Sequence, residues 1–329
     1  MAIAVEPAPA GGELTAARAL GRLRRAAPGA VNTAMAAIAL VGAGIVVAFN
    51  GGTDAQPHEL LALVGLGLAI STCAALGALI VAGRPRHRLG LALLIGGAVS
   101  AVWLFVTAWA DVPAGSDRPL VQWAAWLDNW IFVGLIVLVT WPMLLFPDGA
   151  LPSRRWRPIG ALLFVATAAV GLAGMLDPGT LSNVDDVQNP LGIPESWIWV
   201  TLLEGFGIVI PMGVVAGMLA VQRQARARPG PGMRLALWAS RALAANFVLV
   251  LALDPEGPVY AATLTASIAL FAAAATVAAL RDRVIEVDIV LRRAFIVAGV
   301  AAASLVIFLA VFAVVTAFAG SSAGALGSP

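Results

Sequence analysis

Nine predominantly apolar stretches dominate this sequence, at about 31 to 49, 59 to 82, 89 to 110, 129 to 146, 159 to 176, 197 to 221, 235 to 253, 258 to 280 and 294 to 319. A span of the hydrocarbon core takes about 20 apolar residues as a helix, and every one of these stretches is close to that length. Peptide groups in hydrocarbon must find their hydrogen bonds within the segment, so runs of this kind are expected to be helical. The expected fold is an all-α polytopic membrane protein, a bundle of about nine transmembrane helices. Composition agrees: 60% of the 329 residues are hydrophobic and 12% are charged, where soluble domains carry about a quarter.

The positive charge is carried by arginine alone, with no lysine, and its placement sets an expected orientation. Arg18, Arg22, Arg24 and Arg25 precede the first stretch; Arg84, Arg86 and Arg88 follow the second. Arg154, Arg155 and Arg157 follow the fourth, and Arg223, Arg226, Arg228 and Arg234 the sixth. Arg281, Arg283, Arg292 and Arg293 follow the eighth, so only Arg118 and Arg241 stand apart from the alternation. Basic residues in short loops resist translocation, which predicts a cytoplasmic N-terminus. The opposite loops are acidic, with Asp111, Asp117, Asp177, Asp185, Asp186, Glu195, Asp254 and Glu256. Three segments are expected: 1–30, a basic cytoplasmic N-terminus whose residues 13 to 25 suit a short amphipathic helix; 31–319, the multi-pass domain; and 320–329, a short external tail. The first stretch is of full span length behind four arginines and reads as an uncleaved anchor.

Chemistry that needs clustered ligands is hard to build from this chain. One cysteine, Cys73, excludes an intrachain disulfide and reads as a buried thiol, and the histidines are two, His58 and His87. The sequence implies no catalytic set, metal or cofactor. Dispersed arginines do not make a nucleic-acid face, so the expected surroundings are the lipid bilayer. The loop from Asp177 to Ser196 is too short for an independent ligand-binding domain, which places any sensing in or at the bilayer. Trp123, Trp126 and Trp130 recur at helical spacing ahead of the fourth stretch, and Trp197 and Trp199 open the sixth, as expected of rings at headgroup depth.

Four short segments are more specific than their charge. Residues 144 to 158 read Leu-Leu-Phe-Pro-Asp-Gly-Ala-Leu-Pro-Ser-Arg-Arg-Trp-Arg-Pro, in which Pro147 stops a helix, Asp148 and Gly149 make a tight turn, and Trp156 among Arg154, Arg155 and Arg157 seats the return. Residues 83 to 90 read Gly-Arg-Pro-Arg-His-Arg-Leu-Gly, and 189 to 193 read Asn-Pro-Leu-Gly-Ile. Residues 281 to 294 read Arg-Asp-Arg-Val-Ile-Glu-Val-Asp-Ile-Val-Leu-Arg-Arg-Ala, including Asp282, Glu286, Asp288 and Arg292. In this order they resemble segments of the N-terminal membrane region of bacterial two-component sensor histidine kinases, over roughly residues 80 to 319. The departures are Ala150 where that family has Arg, Leu91 where it has Trp, and Glu286 where it commonly has Tyr.

The resemblance implies a sensory input module that passes its state to a cytoplasmic kinase core and, through it, to a response regulator. The family's tenth span, phosphoacceptor helix and ATP-binding domain are not in this sequence, so the chain is expected to be truncated before the catalytic core. His58 is expected in an acidic outer loop and His87 in a six-residue turn, neither suited to a phosphoacceptor. A stand-alone membrane protein with a transport or scaffold role is the alternative.

Within the spans, Glu204 reads as the one acid, roughly 10 Å from the outer end at about 1.5 Å per residue. Asn246 comes to nearly that depth. A hydrogen bond between neighbouring helices is the first expectation for this candidate polar site, and a sensing or ion role the second. Arg241 lies deeper and reaches the inner surface by extending its side chain. Pro211, after Gly205 and Gly207, predicts a kink in the sixth helix. Gly213 and Gly217 form a GxxxG that reads as close packing within the bundle before a homodimer face.

Overall fold

The computed structural model describes residues 28–50, 57–111, 119–177, 180–181, 187–193, 205–253 and 267–275. Long helices carry nearly all of them. They are α1 (Pro28–Asn50), α2 (Pro57–Gly83), α3 (Arg88–Ala110), α4 (Val121–Ile131), α5 (Val133–Leu145), α6 (Arg157–Leu176), α7 (Val209–Ala227) and α8 (Pro231–Leu253), with a single 3-10 turn at Arg154–Trp156. Residues 267–275 are also helical. No strand occurs among the described residues, where the one β-bridge joins Thr180 to Gln188. Among the described residues six helices are long and apolar enough to cross a membrane, α4 and α5 counting as one across Val121–Leu145. This architecture fits a multi-pass membrane protein.

The packing explains the many glycines. α3 is the hub, touching α1, α2, α4 and α5, while α7 packs on α5, α6 and α8. A Cβ on Gly97 would stand 2.9 Å from the backbone nitrogen of Ala74, and one on Gly134 2.6 Å from Val99 Cγ1. Helices without a mutual hydrophobic drive in lipid gain their affinity from such close backbone approach. The stripes that face outward are apolar too: Met35 on α1, Phe164 on α6, Met212 on α7 and Trp238 on α8 are exposed. Water would make these a liability; hydrocarbon does not.

Three expectations need correction. The fourth span begins at Val121, not at 129, so Trp123, Trp126 and Trp130 lie inside the helix and stack edge to face at centroid distances of 5.8 and 5.6 Å. Gln122, Asp128 and Asn129 are polar, yet each makes a hydrogen bond that the helix and its neighbours supply. Consequently Glu204 is not the only acid within a span, because Asp128 is another. His58 also belongs to the first turn of α2 rather than to a loop.

The sixth helix does break near Pro211. Residues 205–207 are helical, Ile208 is a turn, and α7 proper starts at Val209. Proline lacks an N–H and its ring crowds the carbonyl four residues back, here that of Gly207. Gly213 and Gly217 face inward, where Cβ atoms would meet Leu163 Cδ1 at 2.7 Å and Met143 Cβ at 2.8 Å. Cys73 is buried in α2. The 13 to 25 helix, Glu204, the segment with Asp282, Glu286, Asp288 and Arg292, the ninth span and the 320–329 tail lie outside the described residues.

Gly97→Val should force α2 and α3 apart and cost about 1–3 kcal/mol, the usual range for overpacking. Gly42→Ala, at a position with no atom within 4 Å of the added carbon, should be neutral. Thermal unfolding of the two purified variants in detergent checks the contrast, and equal behaviour would refute the packing account.

Candidate functional site

The two ends of the bundle are built on different physics. At one end lie the turn between α2 and α3, the turn after α5 and the C-terminus of α7. Pro147 and Gly149 end α5, Gly149 N–H bonding back to Leu145 O at 2.8 Å. Gly149 has φ +72°, a left-handed conformation that glycine adopts without strain, and a Cβ there would lie 3.2 Å from His87 Nδ1 and 3.1 Å from the Arg88 nitrogen. The 83–90 and 144–158 segments, some sixty residues apart, therefore meet. Asp148 receives both oxygens' contacts from Arg228 Nη1, at 3.1 and 2.9 Å. Phe146 is fully buried and meets Phe271 at a centroid distance of 5.9 Å, which ties the turn to the 267–275 helix. Arg154, Arg155 and Arg157 are exposed, and Trp156 packs on Leu144, Leu163 and Ala220.

An open cleft of about 750 Å³ lies between these turns, lined by Arg84, Arg86, His87 and Arg88 from one and by Asp148 and Gly149 from the other. His87 is 8% exposed, and neither ring nitrogen has a hydrogen-bond partner. Burial pushes this imidazole below its ordinary pKa of 6.5, Arg84 lowers it further, and Asp148 partly opposes them. A buried polar group without a partner costs about 1–3 kcal/mol, so the site stores an unmet demand. Ser100 Oγ and Trp130 Nε1 share that condition deeper in the bundle.

The opposite end is closed by polar side chains. The last carbonyls of a helix have no intrahelical donor, and at the end of α6 each finds one elsewhere. Asn129 Nδ2 donates to Gly174 O (2.7 Å), Trp126 Nε1 to Met175 O (3.0 Å), Ile193 N–H to Leu176 O (3.1 Å) and Asn189 Nδ2 to Asp177 O (2.7 Å). Asn189 Oδ1 in turn accepts from Leu191 N–H at 3.0 Å, which shapes the 189–193 loop. Burial raises the Asp177 carboxyl, opposed by its contact with Asn129. Beside this closure Asp128, 2% exposed, hydrogen-bonds to Thr107 Oγ of α3. Leu181 fills the end among Val106, Ala110, Ala124 and Ala125.

The other candidate residues are not gathered there. Asn246 Nδ2 donates to Ser267 Oγ at 3.1 Å and to Ala242 O at 3.0 Å, joining α8 to the 267–275 helix. Arg241 lies over the ring of Trp238 at 5.1 Å, one turn nearer the arginine-rich end. Sequence reasoning missed Asp128, Asn129 and the burial of His87. The helical spacing of Trp123, Trp126 and Trp130 was a signal for the first two; an imidazole flanked by arginines gives none for the last. No metal-holding group of His, Cys, Asp or Glu exists among the described residues. Comparison of the chain with protein-family models, with curated proteins and with solved structures finds no match.

Two outcomes follow from this geometry. Asn189→Ala should lower stability by about 0.5–1.5 kcal/mol, the usual net worth of a hydrogen bond, and hydrogen exchange should quicken in the last turn of α6; unchanged exchange there would refute the capping role. For His87, the unfolded chain takes up the proton first as pH falls, so the folded state should lose stability below about pH 6.5. Asp177, raised instead, acts with the opposite sign above its ordinary 3.8. The comparison is therefore between wild type and His87→Asn by thermal unfolding across pH: the variant should lack the loss, and identical profiles would dismiss it.

Proposed function

We propose that the chain is a membrane-embedded signal-input module of the two-component histidine kinase type. In this reading nine helices span a bacterial inner membrane, with the N-terminus and the arginine-rich turns on the cytoplasmic side, where basic loops are retained. The ordered segments at 83–90, 144–158, 189–193 and 281–294 support it. The observation that carries it furthest is that the first two meet across His87 and Gly149, with Asp148 bound to Arg228 at the end of α7. A helix shift on the order of 1–2 Å in the bundle would be felt at that junction, which is the size of motion by which packed helices pass on a signal. The kinase core that reads the shift, and its response regulator, would come from outside these residues. Glu204 enters this reading first as a hydrogen bond between neighbouring helices and only second as a sensing acid, in a stretch where ionisation is costly.

Two experiments test the proposal. Reporter fusions after Arg88, Arg157 and Arg228 should read cytoplasmic, and fusions near Asp117 and Asp186 external; the reverse pattern would overturn the orientation. The chain joined through a tenth apolar span to an intact kinase core should give a regulated phosphorylation output, which Asp148→Asn should shift at least severalfold. The exposed Asp148–Arg228 pair contributes only about 0.2–1 kcal/mol to stability, so the variant should fold. Output unaffected by Asp148→Asn, and equally unaffected when the bundle is exchanged for an inert anchor, would favour a transport or scaffold role.

A further inference from the structure

The arginine-rich cleft carries a demand that the turns themselves leave open. His87 lines it, is 8% exposed, and has no partner at either ring nitrogen. Its Nδ1–Cε1 edge lies beside Gly149, which lines the same cleft. Immediately after it α3 begins without a side-chain cap, and the first helical hydrogen bond runs from Leu91 N–H to His87 O. The opening N–H groups of this 23-residue helix have no intrahelical partner and its dipole favours negative charge there; of those residues Arg88 lines the cleft, while Leu89 and Gly90 are buried behind it. Three arginines, Arg84, Arg86 and Arg88, line the cleft against one acid, Asp148, which is already bound to Arg228.

We infer that this cleft is a binding site for a phosphate group, held by the guanidinium fork of Arg84 or Arg86, the opening N–H of α3 at Arg88 and the ring of His87. A phosphate offers the acceptors that these donors need, in the bidentate geometry that arginine matches. A carboxylate offers fewer acceptors, and a cation is excluded by the arginines. The phosphate belongs either to a lipid headgroup, which sits at the depth of a turn between two spans, or to a soluble ligand. A bound dianion would also favour the protonated imidazole, turning His87 from a neutral group into a second donor. The site stands on the described geometry and does not depend on the kinase reading.

The test uses the full chain purified in dodecyl maltoside, a detergent without phosphate, and labelled with ¹⁵N-histidine. With two histidines in the sequence, the His87 signals are assigned by comparison with His58→Asn. Inorganic phosphate is titrated into one sample and phosphatidate, as mixed micelles, into another, with sodium chloride at matched ionic strength as the reference. The expected result is a saturable shift of the His87 ring nitrogens with a rise in unfolding temperature. Arg84→Gln with Arg86→Gln, both outside the helices, should weaken the apparent affinity roughly tenfold or more, as expected for lost charge-assisted hydrogen bonds. A response to inorganic phosphate assigns a soluble ligand; a response to phosphatidate alone assigns a headgroup. No response to either, a response matched by chloride, or one retained in the arginine double variant overturns the site.

Discussion

Hydrocarbon offers a peptide group no hydrogen-bond partner, and most of this structure follows from that deprivation. Helices satisfy their own interiors, so the long apolar stretches become α1 to α8, and the difficulty moves to the helix ends. At the end of α6 it is met one carbonyl at a time by Asn129, Trp126, Ile193 and Asn189. Side chains that look like loop residues in sequence are there because a helix ends beside them. The 189–193 segment is first of all a device for closing a helix, whatever else it does.

The same constraint governs packing. Without water to drive apolar faces together, contact in lipid depends on how closely backbones approach. α3 meets four helices, and Gly97 against Ala74 and Gly134 against Val99 show why a side chain at such positions would not fit. Among the described residues, Asp128 pairs with Thr107 and Asn246 with Ser267 across neighbouring helices. These pairs specify which helices lie side by side, a task that apolar surface alone performs poorly.

The two ends then divide the work. One is closed by hydrogen bonds among Asn129, Asn189 and Trp126 and holds its turns in register. The other keeps a concentration of positive charge around an imidazole without a partner, and it joins α3, α5 and α7 at Gly149 and Asp148. Among the described residues, the hydrogen-bonded end offers its helix carbonyls partners within the fold, whereas the basic end leaves an imidazole without one. That asymmetry is what the proposed input role and the phosphate site have in common, although neither depends on the other.

The helices were legible in the sequence because length and hydropathy act locally: Arg88–Ala110 and Arg157–Leu176 lie within two residues of their expected limits. The tight turn at Asp148 and Gly149 was legible for the same reason, and so was the break ahead of Pro211. The start of α4 was misjudged because Gln122, Asp128 and Asn129 look like loop residues until their partners, Gln188, Thr107 and Gly174, are known. Those partners lie 21 to 66 residues away. The burial of His87 and its meeting with Gly149 were decided only by tertiary structure, since an imidazole among three arginines is a solvated group in any local view. Apolar length is a property of one segment, whereas burial and pairing belong to two; the first is written in the chain and the second exists only once the helices are packed.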